Sequence, residues 1–520
     1  VPGRMLADGT EMTPFDDAAV LKIIDDLRQR DVQAVAVCLL WSIVNPAHED
    51  RVGELLAEHL PGVPYTLSHV LNPSLREYRR ASSAAIDASL KPLMSAYMHN
   101  LSGRLREAGF GGRVLIVTSQ AGVMDADDIA DSPIHLINSG PSMAPVSGRY
   151  FAREDEQSES AVIADTGGTT YDVSLVRRGG IPWTRETWIG EPYRGHMTGF
   201  PSVDVKSIGA GGGSIAWVDD GGMLHVGPQS AGAVPGPACY GQGGDKPTVT
   251  DAALALGYLD PAFFLGGAMS LDTEAARTAL ERDVAKPMDL SLEDAAAAVI
   301  SIATENMVQA IMDITVNQGI DPREAMLIGG GGAAGLNSIV IARRLGCPRA
   351  IIPEVGAALS AAGAMMSDLT SQYRRTLFMT SDAFDRDAVN RLLDQLEASC
   401  QSFIEGPGTG AIDTQVEFFA EARYPEQVWE IEVPIASRRF NDDGDIAALV
   451  AAFHDAHRDI FAINDPGSGI EVVGWTATVR CRLRSSESGT LVAADVETEI
   501  EGSRQAYFSG VGFVDAAVRR

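Results

Sequence analysis

The sequence predicts an α/β fold over its first 370 residues, followed by an α+β region. Three observations carry that expectation. Apolar strands alternate with amphipathic helices over residues 16–152. An apolar strand ends in an aspartate and a Gly-Gly turn at 161–168. A second apolar strand runs into four consecutive glycines and then a helix at 325–345. The chain has 520 residues, 45% apolar and 21% charged, a composition ordinary for folded domains. At about 150 residues per domain, that length fits two to four domains.

The elements follow from local pattern. Residues 16–30 read as a helix, with Val20, Leu21, Ile24 and Leu27 at helical spacing. Residues 32–40 read as a buried strand, 49–59 as a helix stopped by Pro61 and Gly62, and 63–68 as a short strand. A long helical tract covers 73–108, with a bend or break expected at Pro92. Strands are expected at 114–118 and 134–136, and a short helix at 144–151. The polar segment 153–160 reads as an exposed turn or a domain crossover. Beyond it, 161–165 and 171–177 form a hairpin on a Gly-Gly turn. Strands follow at 203–208, 214–218 and 224–226, then a Pro/Gly loop over 228–247. Helices return at 251–257, 273–282 and 292–318, the last opened by a capping-box-like Ser291-Leu-Glu-Asp294. A strand (325–328), helix (333–345), strand (350–352) and helix (357–367) come next. The tail holds a helix at 385–404 and strands near 413–422, 429–433 and 470–483. This divides the chain into 1–152, 153–370 and 371–520.

Charge and cysteine usage narrow the function classes. There are 41 basic and 70 acidic residues, a formal net charge of −29. Nucleic-acid binding and docking on anionic membranes both need basic surfaces, so neither is expected. The longest apolar run, at 34–41, has eight residues, far short of the roughly 18 that a membrane span requires. The first twenty residues carry Asp8, Glu11, Asp16 and Asp17 and lack the apolar core of a secretory leader. Five scattered cysteines without C-x-x-C spacing point to a reducing, cytoplasmic setting.

The 53 glycines cluster where backbone would have to turn or approach a ligand. In Asp165-Thr-Gly-Gly-Thr-Thr-Tyr-Asp172, a strand delivers Asp165 to a turn whose N–H groups can face a polyphosphate. Gly167, Gly168, Thr169 and Thr170 are the phosphate-binding candidates. Asp165 is the candidate for Mg²⁺, and Asp165 and Asp172 are the catalytic candidates. The same residues also suit a plain hairpin turn. In Ile328-Gly-Gly-Gly-Gly-Ala-Ala-Gly335, a strand reaches a helix through Gly329, Gly330, Gly331 and Gly332. The spacing is not a dinucleotide fingerprint. Four glycines still suggest a ligand packed on backbone.

Together the two turns resemble the ATPase fold shared by actin, sugar kinases and acetate kinase. A closer resemblance rests on longer motifs: Ile208-Gly-Ala-Gly-Gly-Gly-Ser-Ile-Ala216, residues 227–241 (GPQSAGAVPGPACYG), and Pro247-Thr-Val-Thr-Asp-Ala252. Asn45-Pro-Ala-His-Glu49, Glu77-Tyr-Arg79, Ser139-Gly-Pro141 and Val355-Gly-Ala-Ala-Leu-Ser-Ala-Ala-Gly363 add to it. These resemble the hydantoinase A/5-oxoprolinase family, which is related to the ATP-binding subunits of acetone and acetophenone carboxylases. The match is dense over 30–370 and thins to fragments afterwards.

The resemblance implies an actin/sugar-kinase/acetate-kinase-like ATPase. It would have two ribonuclease-H-like domains, the first incomplete, plus an α+β C-terminal region. ATP would lie in the cleft between the domains, with Mg²⁺. The implied reaction is ATP-dependent opening of a cyclic amide (a hydantoin, 5-oxoproline or a lactam) through a phosphorylated amide. A hydantoinase B-type partner subunit is implied as well. Gly329 to Gly332 would pack on adenosine. Gly211, Gly212, Gly213 and Ser214 would form a further phosphate or substrate loop, and Asn306 would lie near the nucleotide. Family members carry a first Asp-x-Gly-Gly-Thr hairpin near their N-terminus, whereas this sequence has one such hairpin, at Asp165. The expectation is a fragment or a processed or split subunit. The alternatives are a ketone carboxylase subunit and a non-catalytic structural subunit; a sugar or acyl kinase fits the 208–252 block less well. His48, Glu49, His69, His135, His196, Cys239, Asp204 and Asp251 are weaker candidates, without metal-ligand spacing or an identifiable base.

Overall fold

The computed structural model describes residues 1–154, 158–483 and 500–519. The turn expected at 153–160 therefore lies partly outside the described residues, at 155–157. The chain forms two compact units. Unit 1 comprises Val1–Gly140, Trp183–Val203 and Ser367–Ser486; unit 2 comprises Pro141–Pro182, Asp204–Met366 and Glu487–Arg520.

Unit 2 is built on a five-stranded sheet. Its elements are α1 (Ala144–Glu154), β1 (Ala161–Thr166), β2 (Tyr171–Val176) and β3 (Val205–Ile208), followed by the hairpin β4 (Ser214–Val218) and β5 (Leu224–Ser230). Then come α2 (Leu292–Asn317), β6 (Met326–Gly330), α3 (Ala334–Leu345), β7 (Ala350–Ile351) and α4 (Leu359–Met366). The sheet order is β3-β2-β1-β6-β7. β1, β2 and β3 pair antiparallel, while β1–β6 and β6–β7 are parallel.

Both faces of this sheet are covered, which explains the unbroken apolar run of β1. Val162 and Ala164 face Met307, Ile311 and Ile314 of α2 and Ile341 of α3. Ala161 and Ile163, one residue out of phase, face Phe151 of α1 and Leu359 of α4. The helix α2 starts where Ser291 accepts the Asp294 N–H at 3.1 Å. By length and composition alone it could cross a membrane, but half of its apolar window is buried within unit 2. The expected loop at 228–247 begins three residues later than read, because β5 runs on through Ser230. An antiparallel pair, Ile500–Phe508 with Gly512–Arg519, leans on Tyr258, whose hydroxyl donates to the Tyr507 carbonyl at 2.8 Å.

Unit 1 has two parts. In the first, parallel strands Val35–Val37 and Tyr65–Leu67 pack against helices Asp17–Gln29 and Ala47–His59 around Val20, Ile24, Val52 and Leu56. In the second, a seven-stranded sheet joins Leu115–Val117, Val123–Asp125 and Leu369–Arg375 to Glu471–Arg482, Asp413–Arg423 and Ile431–Pro434, with the short strand Met379–Thr380 also paired to Glu471–Arg482. Helices Arg386–Glu405 and Asp443–Phe461 cover it around Leu393, Phe453 and Trp475.

Two expectations change here. The helix Glu77–Glu107 continues through Pro92 for 31 residues rather than breaking. Ala84, Ala88 and Met98 bury its inner face, and that packing offsets the cost of an internal proline, about 3 kcal/mol. The strand expected at 134–136 is a 3-10 turn, Pro133–Leu136. Pro133 has no N–H to give a ladder, and the Ile134 N–H goes to the Asp87 carboxylate at 3.1 Å.

Candidate functional site

The hairpin of β1 and β2 sets the site. Asp165 and Asp172 are directly opposed across it, so their side chains leave the same face. Gly167 N–H donates to the Thr170 carbonyl at 2.9 Å and closes the turn. At the tip, Gly168 and Thr169 are exposed. Among the described residues their N–H groups have no protein acceptor, so two backbone donors are available to an anion.

Both carboxylates are held by hydroxyls. Ser360 Oγ, at the start of α4, donates to Asp165 Oδ2 at 3.1 Å. Thr170 Oγ1 donates to Asp172 Oδ2 at 3.2 Å, and Ser207 Oγ donates to Asp172 Oδ1. Burial raises the pKa of Asp165, and the charge of Asp172 raises it further against the opposing effect of Ser360. Burial also raises the Asp172 carboxyl, against Ser207 and Thr170. A pair of half-buried carboxylates resisting ionisation side by side favours a nearby cation.

The four-glycine turn lies against this pair. Parallel pairing places Gly330 beside Asp165. Gly331 has φ +83°, and a Cβ there would sit 2.2 Å from the Thr166 carbonyl oxygen and 2.6 Å from Asp165 Oδ1. Only glycine lets the backbone pass this close to the aspartate. Gly331 N–H donates to Gly356 at 2.8 Å, and Ala333 N–H donates to Thr166 at 3.1 Å. Gly329 and Gly330 are buried, with Ser338 and Leu359 where their side chains would be. Gly332 is exposed and has no atom within 4 Å of its would-be Cβ, so of the four it is the one open to a ligand.

The loop between β3 and β4 stacks on the hairpin tip. Gly212 and Gly213 N–H groups donate to the Gly167 and Gly168 carbonyls at 3.1 and 2.6 Å. Those donors hold the hairpin, and the Gly212 carbonyl is held in turn by Thr250 N–H at 2.7 Å. Ser214 is fully buried and donates to the Gly209 carbonyl at 3.1 Å. A Cβ on Gly211 would lie 2.7 Å from Gly167 O and from the carbonyl carbons of Gly168 and Thr169. Gly211→Ala is therefore expected to destabilise unit 2 by about 1–3 kcal/mol, the usual cost of overpacking. A thermal melt in which Gly211→Ala matches wild type would contradict this stacking.

The remaining candidates are placed apart from the hairpin. Asn306, on α2, donates to the Val226 carbonyl at 3.4 Å and lines a cavity of about 590 Å³ with Gly209, Gly227 and Pro228. Asp251 is buried in a capping box with Thr248 and also accepts the Ala238 and Cys239 N–H groups at 3.2 and 2.8 Å. Burial pushes the Cys239 thiol pKa up, and Asp251 adds to it, which disfavours a thiolate nucleophile. Asp204 accepts from Gln318 at 2.6 Å. In unit 1, His48 meets Glu11 at 2.6 Å, His69 meets Asp50 at 3.1 Å next to buried Glu49, and His196 is exposed. Ser207 and Ser360 are site residues that the motif reading does not single out. Ser360 falls inside the 355–363 motif, and its spacing of 195 residues from Asp165 hides the contact.

The hydantoinase/oxoprolinase pattern matches residues 80–373, and the N-terminal region of the same family matches residues 1–60. Caprolactamase subunit alpha of Pseudomonas jessenii is 36% identical over 93% of this chain and 69% of its own length. The acetophenone carboxylase gamma subunit of Aromatoleum aromaticum is 31% identical over 89% of this chain and 64% of its own. The crystal structure of the ATP-dependent caprolactamase from Pseudomonas jessenii matches with a TM-score of 0.87 at 35% identity. That match covers 99% of this chain and 75% of the other. These matches bear out the resemblance read from the motifs.

Proposed function

The chain belongs to the hydantoinase/oxoprolinase family, and from that premise we propose that it is the ATP-binding subunit of an enzyme that opens a cyclic amide by hydrolysis. The observation that carries this is the hairpin tip. Two exposed N–H groups with no protein acceptor among the described residues lie in the turn that joins two opposed carboxylates, and a glycine turn at a helix start lies beside Asp165. That arrangement suits a polyphosphate and its cation better than it suits a plain turn.

In this reading Gly168 and Thr169 donate backbone N–H groups to phosphate oxygens, and the Thr169 and Thr170 hydroxyls add to them. Gly332 packs against the nucleotide. The donor set beneath is all oxygen: Asp165, Asp172 and the hydroxyls of Thr170, Ser207 and Ser360. Such a set fits Mg²⁺, which keeps several waters and needs only one or two carboxylates. Among the described residues no cluster of three or more His, Cys, Asp or Glu offers a denser metal site. Bound there, Mg²⁺ would supply charge neutralisation for phosphoryl transfer. Unactivated amides resist water, and phosphorylating the amide oxygen gives the ring carbon a good leaving group. The sheet of unit 2, with its hairpin on one side and parallel strands on the other, supports reading it as one ribonuclease-H-like half of an actin-type ATPase. A hydantoinase B-type subunit would complete the enzyme, in the cytoplasm.

A second reading rests on the 31% identity to the acetophenone carboxylase gamma subunit: the activated group would be a ketone enolate or bicarbonate. One assay separates the two. Phosphate release from Mg-ATP by the natively purified complex is expected to rise at least about tenfold with lactams, hydantoin or 5-oxoproline. A rise only with ketone plus bicarbonate would replace the first reading by the second.

A further inference from the structure

Unit 1 holds a cavity of about 460 Å³, within the roughly 300–1,000 Å³ range of small-molecule sites. It opens among the strand Tyr65–Leu67, the helix Glu77–Glu107, the turn Pro133–Leu136 and the strand Leu369–Arg375. Leu67, Leu71, Phe200, Pro201 and Tyr373 give it apolar walls.

The charged groups inside are already paired. Asp87 is fully buried, accepts from Thr66 Oγ1 at 2.7 Å and Ile134 N–H at 3.1 Å, and has Lys91 Nζ at 3.6 Å. Lys91 also donates to the Tyr65 carbonyl at 2.8 Å, which leaves one ammonium hydrogen unassigned. Arg374 is locked on Glu421. The other two charged lining residues, Asp131 and Arg375, are exposed and opposite in sign.

Among the described residues, His135 Nδ1 is buried without a hydrogen bond, and its ring stands edge-on to Phe200 with centroids 4.8 Å apart. Burial pushes the His135 pKa down to about 4, so the ring is neutral at pH 7. A neutral imidazole offers one donor and one acceptor. Gln120 donates to the Pro201 carbonyl at 3.3 Å, and its carbonyl oxygen remains as an acceptor.

We propose that this cavity binds the ring of a neutral cyclic amide, with His135, Lys91 and Gln120 pairing to the amide and the apolar walls covering the methylenes. The proposal rests on the hydrolase reading above and names where that substrate class is recognised. Three observations select this occupant. Internally paired charges give no surplus for an ionic ligand. The apolar walls suit a hydrocarbon ring. The unpartnered imidazole, the spare ammonium hydrogen and the Gln120 oxygen match a group with one acceptor and one donor.

The test uses the nucleotide-free complex containing the full chain, with ε-caprolactam and 2-pyrrolidinone as probes in titration calorimetry and saturation-transfer NMR. His135→Phe removes both ring nitrogens. Val70→Trp, at an exposed lining position, narrows the cavity without touching the core and keeps the test alive if His135→Phe misfolds. Each variant is expected to weaken lactam binding at least about tenfold. Absence of lactam binding to wild type, or equal binding by wild type and folded variants, would overturn the proposal. Stimulation of phosphate release at the same lactam concentration in both variants would overturn it too, while leaving the hydrolase reading in place. Binding that is lost in the variants, from an enzyme whose ATP turnover ignores lactams, would uphold the cavity and remove the hydrolase reading.

Discussion

Asp165→Asn is expected to lower phosphate release from Mg-ATP by about 100-fold or more, the scale on which single charge-positioning groups act, and to leave the fold at least as stable as wild type. The second half of that expectation separates a functional carboxylate from a structural one. Burial and the facing charge of Asp172 raise the folded pKa of Asp165 above its ordinary 3.8. A carboxyl with a raised folded pKa binds more protons folded than unfolded. Its ionisation therefore removes stability as pH rises from 3.8 through the folded value, and that loss persists at neutral pH. Asparagine cannot ionise, so the variant escapes the loss. It should melt at or above the wild-type temperature at pH 7 and show less advantage at pH 3.5. Melting curves at the two pH values, set beside the turnover measurement, decide it. Turnover above a third of wild type would remove Asp165 from the site. A large fall in melting temperature at pH 7 would make it a structural residue.

The parts of this site that a sequence reader can see are those made within a few residues. The strand–Asp–Gly-Gly–strand unit and the strand–four-glycine–helix unit each announce themselves through local pattern, and both occur where the pattern puts them. What the pattern hides is which donors are already spent. Gly212 and Gly213 look like a second anion loop, yet their N–H groups go to the hairpin carbonyls about 45 residues earlier. Gly329 and Gly330 look like ligand-facing glycines, yet Ser338 and Leu359 fill the space beside them. In unit 1 the cause is different. Val123–Asp125 and Leu369–Arg375 lie side by side in one sheet although about 245 residues separate them in sequence. Each is too short or too polar to read as a strand alone; only the neighbouring strand Glu471–Arg482 makes Leu369–Arg375 a buried ladder. The helix Asp443–Phe461 does carry a local signal, the reciprocal Asp442–Asp445 capping box, with Leu449 and Phe453 one turn apart on its buried face. Its alanine-rich, polar remainder masks that signal.

The same sheet contains a buried carboxylate bonded by two arginines, and Glu421→Ala is expected to destabilise unit 1 by about 3–5 kcal/mol, the range for breaking a buried ion pair from one side. Glu421 is 3% exposed. It accepts from Arg374 Nε at 2.9 Å, and from Arg374 Nη2 and Arg185 Nη2. Gly474 lies opposite Glu421 in the ladder, and the Arg374 guanidinium occupies the space where a side chain there would be. Removing the carboxylate leaves two guanidinium groups without the acceptor they share, with Glu430 and Glu432 as the remaining negative charges that act on Arg185, so the variant loses more than the pair itself contributes. Burial opposes ionisation of Glu421, but Arg185 and Arg374 outweigh it and bring the pKa from 4.5 down to about 2. With the folded pKa depressed, the stability from this group is complete above pH 4.5 and is lost as pH falls toward 2. The shift corresponds to roughly 3 kcal/mol, in line with the mutational expectation. Chemical denaturation at pH 7 and pH 3 should therefore show wild type and Glu421→Ala far apart at the higher pH and closer at the lower. Curves separated equally at both values would mean that the carboxylate's packing, rather than its charge, holds Arg185 and Arg374 in place. Glu421→Gln would then restore wild-type stability, which the electrostatic account does not allow.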